Sequence, residues 1–228
     1  MVGTLSSSRW ELLRNPAEAG CDIVEVRLDV IGWEGDWVDQ CRAAEASGLP
    51  VILTIRHEAE GGQWRGPARE RLALYQRALP HVSAVDVELR SDIARAVVER
   101  ARRLGKTGIL SFHDFERTPR LAELRAVLAE AQEHATVAKI TTMVHGEPEL
   151  DTLRSLLAGR WKVPVCVMGM GPLGAKSRVA LAALGSCLIY GYLDQPAAPG
   201  QLSAPELVRE LRAAVREYDR HRSALEQT

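Results

Sequence analysis

The sequence has no long apolar run and no clustered cysteines. In its 228 residues, no run approaches the roughly 20 apolar residues of a membrane helix, so we expect no membrane span. The N-terminus lacks a basic segment followed by an apolar one, so no signal peptide is expected. The cysteines at 21, 41, 166 and 187 form no CxxC pair. This usage is typical of reduced core thiols in a cytoplasmic protein without a metal site.

Excess positive charge is also absent. The formal net charge is −1, so the composition gives no sign of the excess basic charge that is typical of nucleic acid-binding proteins. With 46% hydrophobic and 26% charged residues, the composition predicts one folded globular domain over residues 1–228. Lysine is scarce too, since the 29 Lys plus Arg include only Lys106, Lys139, Lys162 and Lys176.

One of these lysines, Lys139, lies inside an apolar strand pattern, "ATVAKITTM". Burial of an ammonium group is costly unless the group is paired or used. Arginine cannot lose its proton in a protein, whereas a desolvated lysine can supply a free amine that attacks a carbonyl. The alternative is a structural lysine paired with a neighbouring carboxylate.

Short apolar segments alternate with helical patterns along the whole chain. The predicted strands are 2–6, 22–30, 50–57, 84–89, 107–115, 136–143, 163–169 and 187–193. Between them, apolar residues recur at helical spacing with charge on the other face. The alternation predicts a (β/α)8 TIM barrel, with a doubly wound open sheet as the alternative.

Polar residues alternate with apolar ones inside these strands, which is unusual for buried parallel strands. Glu25, Arg27 and Asp29 share one strand face, as do Asp86 and Glu88. Other strands repeat the pattern through Thr54 with Arg56, Ser111 with His113, and Lys139 with Val137 and Thr141. In a barrel these faces point to the axis, and their polar ends lie at the carboxyl mouth where barrel active sites occur. Structural ion pairs are the alternative.

The axis-facing set contains an amine, an imidazole, carboxylates and guanidiniums. An amine can form an imine with a ketone, an imidazole can move protons, and guanidinium groups hold carboxylates. The set therefore indicates imine chemistry on a small anionic carbonyl compound.

The chain resembles the type I 3-dehydroquinate dehydratases. The resemblance rests on motifs that keep their order along nearly the whole chain: "EVRLD" (25–29), "TIRHEAEGG" (54–62), "VDVEL" (85–89), "SFHDF" (111–115), "AKI" (138–140), "MGMGPLGAKSR" (168–178) and "APGQLS" (198–203). Any one of these motifs is weakly specific, whereas the ordered set on a (β/α)8 pattern is specific.

The resemblance implies dehydration of 3-dehydroquinate to 3-dehydroshikimate in the shikimate pathway of aromatic amino acid biosynthesis. Lys139 would form the imine, His113 would be the general acid and base, and Glu88 would orient His113. The remaining family positions would bind substrate; they fall on Glu25, Arg27, Arg56, Met168, Met170, Arg178 and Gln201. A homodimer is implied, and no metal or organic cofactor, because the imine is the electron sink.

The sequence departs from the family at two places. Ala197 stands where the family usually has serine in the final loop. Met1 almost begins the first strand, so the N-terminal hairpin often seen in the family is expected to be lacking. Two other functions stay open: a different Schiff-base barrel such as a class I aldolase, and a non-catalytic barrel that senses a metabolite.

Overall fold

Eight parallel strands form the centre of the molecule. The computed structural model describes residues 1–15 and 19–225, so the predicted domain over 1–228 extends beyond them at two places. The strands are β1 (Val2–Leu5), β2 (Ile23–Arg27), β3 (Val51–Thr54), β4 (Ala84–Glu88), β5 (Thr107–Asp114), β6 (Val137–Met143), β7 (Val165–Met170) and β8 (Tyr190–Tyr192). All eight predicted strands are confirmed; β2, β3 and β8 are each four residues shorter than predicted, and each of the others is one residue shorter.

The strand order identifies the sheet as a barrel. From β1 to β7, each strand pairs with the next one in sequence, and β8 returns to pair with β1. At the seam between β7 and β8, the Cys187 amide donates to the Val165 carbonyl at 3.0 Å, and the Ser186 hydroxyl accepts from the Val167 amide at 2.8 Å. A doubly wound sheet would reverse its strand order at a switch point. That alternative is therefore wrong.

Helices follow the strands and cover the outside of the barrel. They are α1 (Leu28–Ile31), α2 (Trp37–Ala46), α3 (Ala68–Ala78), α4 (Ala94–Arg103), α5 (Leu121–Ala131), α6 (Glu147–Leu157), α7 (Gly174–Ala183), α8 (Ala204–Ala214) and α9 (Arg216–Leu225). In α4, Val97, Val98 and Ala101 are buried against the sheet, and the arginines of the last turn stay outside. Helices α2, α5, α6 and α8 bury apolar residues in the same way.

Side chains that face the axis change from apolar to polar along the strands. On β4 the order is Ala84, Asp86 and Glu88, all buried. On β5 and β6, Ile109 and Val137 are register partners near the start, and His113 and Thr141 are partners near the end. The polar groups therefore gather at the carboxyl mouth, as predicted.

Two strands, β2 and β3, end three residues earlier than the sequence pattern predicts. The chain enters α1 directly after Arg27, so Asp29 does not share the strand face of Glu25. Asp29 still reaches back to Arg27, whose guanidinium donates to it at 2.8 and 3.0 Å. Likewise β3 ends at Thr54, and Arg56 lies just beyond it.

At the amino end of the barrel, Asp22 joins the start of the chain to α9. Its carboxylate accepts from the Met1 ammonium at 2.5 Å and from the Tyr218 hydroxyl at 3.1 Å. Strand β1 begins at Val2, and the described residues include no strand before it. The helices of the described chain are all too short or too polar to cross a bilayer.

Candidate active site

A cavity opens at the carboxyl ends of the strands. The cavity is lined by the predicted site residues Lys139, His113, Glu25, Arg27, Arg56, Met168, Met170, Arg178 and Gln201. Of the predicted set, Glu88 is not among the lining residues. The cavity therefore brings together an amine, an imidazole and several guanidiniums.

Lys139 lies on β6 with its side chain 5% exposed. Its Nζ is 2.8 Å from Asp86 Oδ2 and 3.9 Å from Glu25 Oε1, and lies 4.1 Å from the ring centroid of Tyr190. Lys139 thus forms the ion pair with a neighbouring carboxylate that the structural alternative predicts. Asp86, however, already pairs with Arg56 at 2.6 Å, so it does not need Lys139 for charge balance.

Asp86 is the fully buried acceptor at the centre of this charge cluster. Its carboxylate accepts from Arg56 and from the Ser111 hydroxyl, each at 2.6 Å, and from Lys139. Burial alone would raise the pKa of Asp86, but Arg56 and Lys139 outweigh it and hold the pKa far below the ordinary value. Asp86 therefore stays ionised and moves no proton near neutral pH.

The imidazole of His113 is held by Glu60. His113 Nδ1 lies 2.9 Å from Glu60 Oε2, and the same oxygen accepts from the His113 amide at 3.0 Å. Burial, with Arg56 and Lys139 nearby, lowers the pKa of His113 well below its ordinary value. The ring is therefore neutral, and with Nδ1 taken up by Glu60, Nε2 is left for a ligand in the cavity.

The expectation that Glu88 orients His113 is wrong. Glu88 accepts from the His57 amide at 2.7 Å and forms a close ion pair with Arg71. A second guanidinium, that of Arg56, lies 3.4 Å away. Burial alone would raise the pKa of Glu88, but Arg56 and Arg71 outweigh this effect, so the pKa lies below its ordinary value. Within the described chain, the partners of Glu88 are therefore these donors, and the carboxylate partner of the imidazole is Glu60.

The loop after β3 brings Glu60 to His113. Its backbone turns back on itself, since the Trp64 amide donates to the Arg56 carbonyl at 3.0 Å. Gly61 has a φ of +75°, and a Cβ on Gly62 would lie 2.0 Å from the Arg56 carbonyl oxygen. Only glycine fits so close an approach. Asp29 fixes the far side by accepting from the Gln63 amide at 3.1 Å.

Arg178 is a buried guanidinium that the described residues do not neutralise. Its Nε donates to the Tyr190 carbonyl at 3.1 Å, and its Nη1 donates to the carbonyls of Gly169 and Gly200 at 3.2 and 3.1 Å. None of the ion pairs formed by the described side chains includes it. Burial lowers the pKa of Arg178 to about 10. The arrangement suits an anionic ligand that supplies the missing charge.

The final loop already covers one side of the cavity. Gln201 Oε1 accepts from the Ala197 amide at 2.8 Å, and the Pro199 carbonyl accepts from the Gly171 amide at 3.0 Å. Ala197, where the family resemblance implies a serine, is itself a lining residue.

Several lining groups are not among the predicted site residues. They are Thr4, Glu60, Gly61, Phe115, Thr141, Tyr190 and Ala198. Glu60 and Gly61 lie within the "TIRHEAEGG" motif, where the paired glycines signal a tight return of the backbone. For metals, no group of three or more potential His, Cys, Asp or Glu ligands occurs in the described part of the chain.

Comparison with known proteins gives a consistent result. The family described as type I 3-dehydroquinase matches residues 2–216. The 3-dehydroquinate dehydratase of Methanocella arvoryzae is 34% identical over 194 residues, covering 85% of this chain and 87% of that protein. That of Methanosarcina acetivorans is 36% identical over 221 residues, covering 91% of each. The crystal structure of the Aquifex aeolicus 3-dehydroquinate dehydratase superposes with a TM-score of 0.84 at 27% identity, covering 95% of this chain and 99% of that one.

Proposed function

The chain belongs to the type I 3-dehydroquinase family and is a hydro-lyase of that type, and we propose that it dehydrates 3-dehydroquinate through an imine on Lys139. One observation carries the proposal. A buried lysine, a neutral imidazole held by a carboxylate, and a guanidinium without a carboxylate partner among the described residues line a single cavity. Together they match a small substrate that has both a ketone and a carboxylate.

Substrate orientation would begin with the carboxylate. Arg178 has the unbalanced charge, and its Nη2, the nitrogen that the three carbonyls do not engage, would donate to that carboxylate. Glu25 and Arg27 would contact ring hydroxyls, with Arg56 beside them at the mouth. Met168 and Met170 would pack against the ring, and Gln201 would lie over it as part of the final loop. That loop excludes water, which protects an imine from early hydrolysis.

The chemistry would start at Lys139. Its ammonium loses a proton, and the free amine adds to the ring ketone and expels water to give the protonated imine. This cation withdraws electrons from the adjacent carbon, so neutral His113 can remove a proton there. The electron pair then expels the hydroxyl on the next carbon, and His113 returns its proton so that water leaves. Hydrolysis of the imine releases 3-dehydroshikimate and restores Lys139.

Borohydride trapping tests the proposal. Borohydride reduces an imine to a stable secondary amine, so incubation with 3-dehydroquinate should add the reduced ligand to the peptide that contains Lys139. Without borohydride, the same mixture should develop the ultraviolet absorbance of the enone product. Lys139→Met should lose both signals, and Lys176→Met, at an exposed lysine, should keep both. An adduct elsewhere, or enone formation by Lys139→Met, would refute the imine.

The same trapping reaction separates the alternatives. An adduct formed only with sugar phosphates would indicate an aldolase, and binding without any adduct would indicate a sensor. We further propose a homodimer in the cytoplasm and a place in the shikimate pathway. Sedimentation analysis would test the homodimer.

A further inference from the structure

Thr141 lines the cavity and has a buried hydroxyl without a hydrogen-bond partner among the described residues. It follows Lys139 by two residues on the same face of β6. Within the described chain, the buried side-chain atoms lacking a partner are Ser6 Oγ, Ser7 Oγ, Thr141 Oγ1 and Tyr190 Oη. Only the last two belong to residues that line the cavity.

The neighbouring hydroxyls differ from that of Thr141 in being satisfied. Thr4 and Thr54 donate to Glu25 at 3.0 and 2.8 Å, and Ser111 donates to Asp86 at 2.6 Å. A buried hydroxyl without a partner is destabilising, and valine would fill the same space without that cost. A threonine at this position therefore points to a partner that arrives with the ligand.

The strand register places Thr141 beside the proton-transfer group. Thr141 is the direct partner of His113 on β5 and of Met168 on β7. Lys139 pairs one layer lower, with Ser111. The Cα atoms of Thr141 and His113 thus lie in one layer of the barrel, and the Cα atom of Lys139 lies one layer lower.

We propose that the Thr141 hydroxyl binds the oxygen that His113 protonates, and holds the water that forms from it. This inference rests on the proposed function, since it assigns a contact within the same dehydration. The hydroxyl can accept from the substrate hydroxyl before elimination and donate to the oxygen as its bond to carbon breaks. Thr141 is then a catalytic residue for the departure of the oxygen and not for imine formation.

Thr141→Val and Thr141→Ser test this assignment. Valine keeps the shape and removes the hydroxyl, so kcat should fall about tenfold or more, with the extent of borohydride trapping on Lys139 unchanged. In deuterium oxide, substrate recovered from Thr141→Val should carry deuterium at the carbon beside the imine, because deprotonation continues while the oxygen leaves slowly. Serine should restore kcat to within about threefold of wild type.

Thr142→Val is the matched control. Thr142 lies next along β6, is buried, and has its hydroxyl 3.0 Å from that of Thr118. Its replacement should lower the Tm and leave kcat near wild type, whereas Thr141→Val should not lower the Tm, because it removes an unpartnered hydroxyl.

Three results would overturn the assignment: wild-type kcat in Thr141→Val, a loss of trapping in proportion to the loss of kcat, or an equal loss of kcat in Thr142→Val. Failure of the wild-type protein to form any adduct or enone is a different result, since it would refute the proposed function itself.

Discussion

The ionisation of Glu60 should set the acid side of the pH–activity profile. Burial raises the pKa of Glu60 to about 7, with Glu88 and Asp86 adding to the rise and Arg56 opposing it. The pKa of His113 lies well below its ordinary value, so the imidazole itself does not titrate in this range. The carboxyl group that holds the ring is thus the one that changes charge near neutral pH.

Protonation of Glu60 would switch the tautomer of His113. An ionised Glu60 accepts from Nδ1–H, which leaves Nε2 free to act as a base. A protonated Glu60 donates to Nδ1 instead, and the ring proton moves to Nε2, where it blocks proton abstraction. With a pKa of about 7, about nine tenths of the sites are competent at pH 8 and about one tenth at pH 6. The value of kcat/KM should therefore fall about tenfold between pH 8 and pH 6.

The assay is kcat/KM from pH 5 to 9, with the enone absorbance as the signal. Glu60→Gln should have a lower plateau and lose the titration near pH 7, since an amide does not ionise. Glu58→Gln, at an exposed neighbour on the same loop, should keep the wild-type profile. A titration of the same midpoint in Glu60→Gln would refute the assignment to this carboxyl.

The free energy of unfolding should also depend on pH through the ionisation of Glu60. A carboxyl group with a raised pKa in the folded state favours folding below its unfolded pKa, and this contribution is lost as the pH rises through the folded value. The rise from 4.5 to about 7 corresponds to about 3 kcal/mol. Denaturant unfolding at pH 5 and pH 8 should therefore show Glu60→Gln gaining up to about 3 kcal/mol relative to wild type at the higher pH. An equal difference at both pH values would contradict this expectation.

Three other changes have expected outcomes. Arg178→Met should lower kcat/KM about 10- to 150-fold, mainly through KM. The reason is the loss of about 1.5–3 kcal/mol of charged hydrogen bonding to the proposed substrate's carboxylate. An unchanged KM in steady-state kinetics would contradict this. Arg71→Met should cost about 3–5 kcal/mol in denaturant unfolding by leaving buried Glu88 without its closest cation, and Arg71→Met with Glu88→Gln should recover part of that loss. Gly62→Ala should abolish most activity and also the titration near pH 7 in the pH–activity profile, because its Cβ would collide with the Arg56 carbonyl and displace Glu60. A wild-type pH–activity profile would refute the role of this glycine in positioning Glu60.

The barrel could be predicted from the sequence because apolar residues recur with a different period in strands and in helices. Short apolar runs predict each of the eight strands, and the polar residues at their carboxyl ends indicate the mouth of the barrel. The ends of the strands could not be predicted as well. After Arg27 the chain turns directly into a short helix, although the alternation continues in the sequence through Asp29. Tertiary hydrogen bonds decide where such strands end, and the periodicity of apolar residues in the sequence does not reveal those bonds.

Site residues on strands could likewise be predicted, because alternation fixes the face on which each one lies. Lys139, His113 and Glu25 reach the cavity for this reason. The partner of His113 could not be predicted in this way. Glu60 lies on an irregular loop, and its position depends on backbone turns at Gly61 and Gly62 that only the folded chain defines.

The carboxylates around this cavity have two different roles. Asp86 and Glu88 lie on the barrel strand β4, and each accepts hydrogen bonds from at least two donors, including guanidiniums that lower its pKa. A carboxylate held ionised in this way can balance buried cations but cannot exchange protons near neutral pH. Glu60 sits on a loop with less cationic support, and its pKa of about 7 lets it gain and lose a proton under working conditions. Carboxylates fixed by the strands thus maintain the charge of the cavity, and the loop carboxyl group is the one able to control the state of His113.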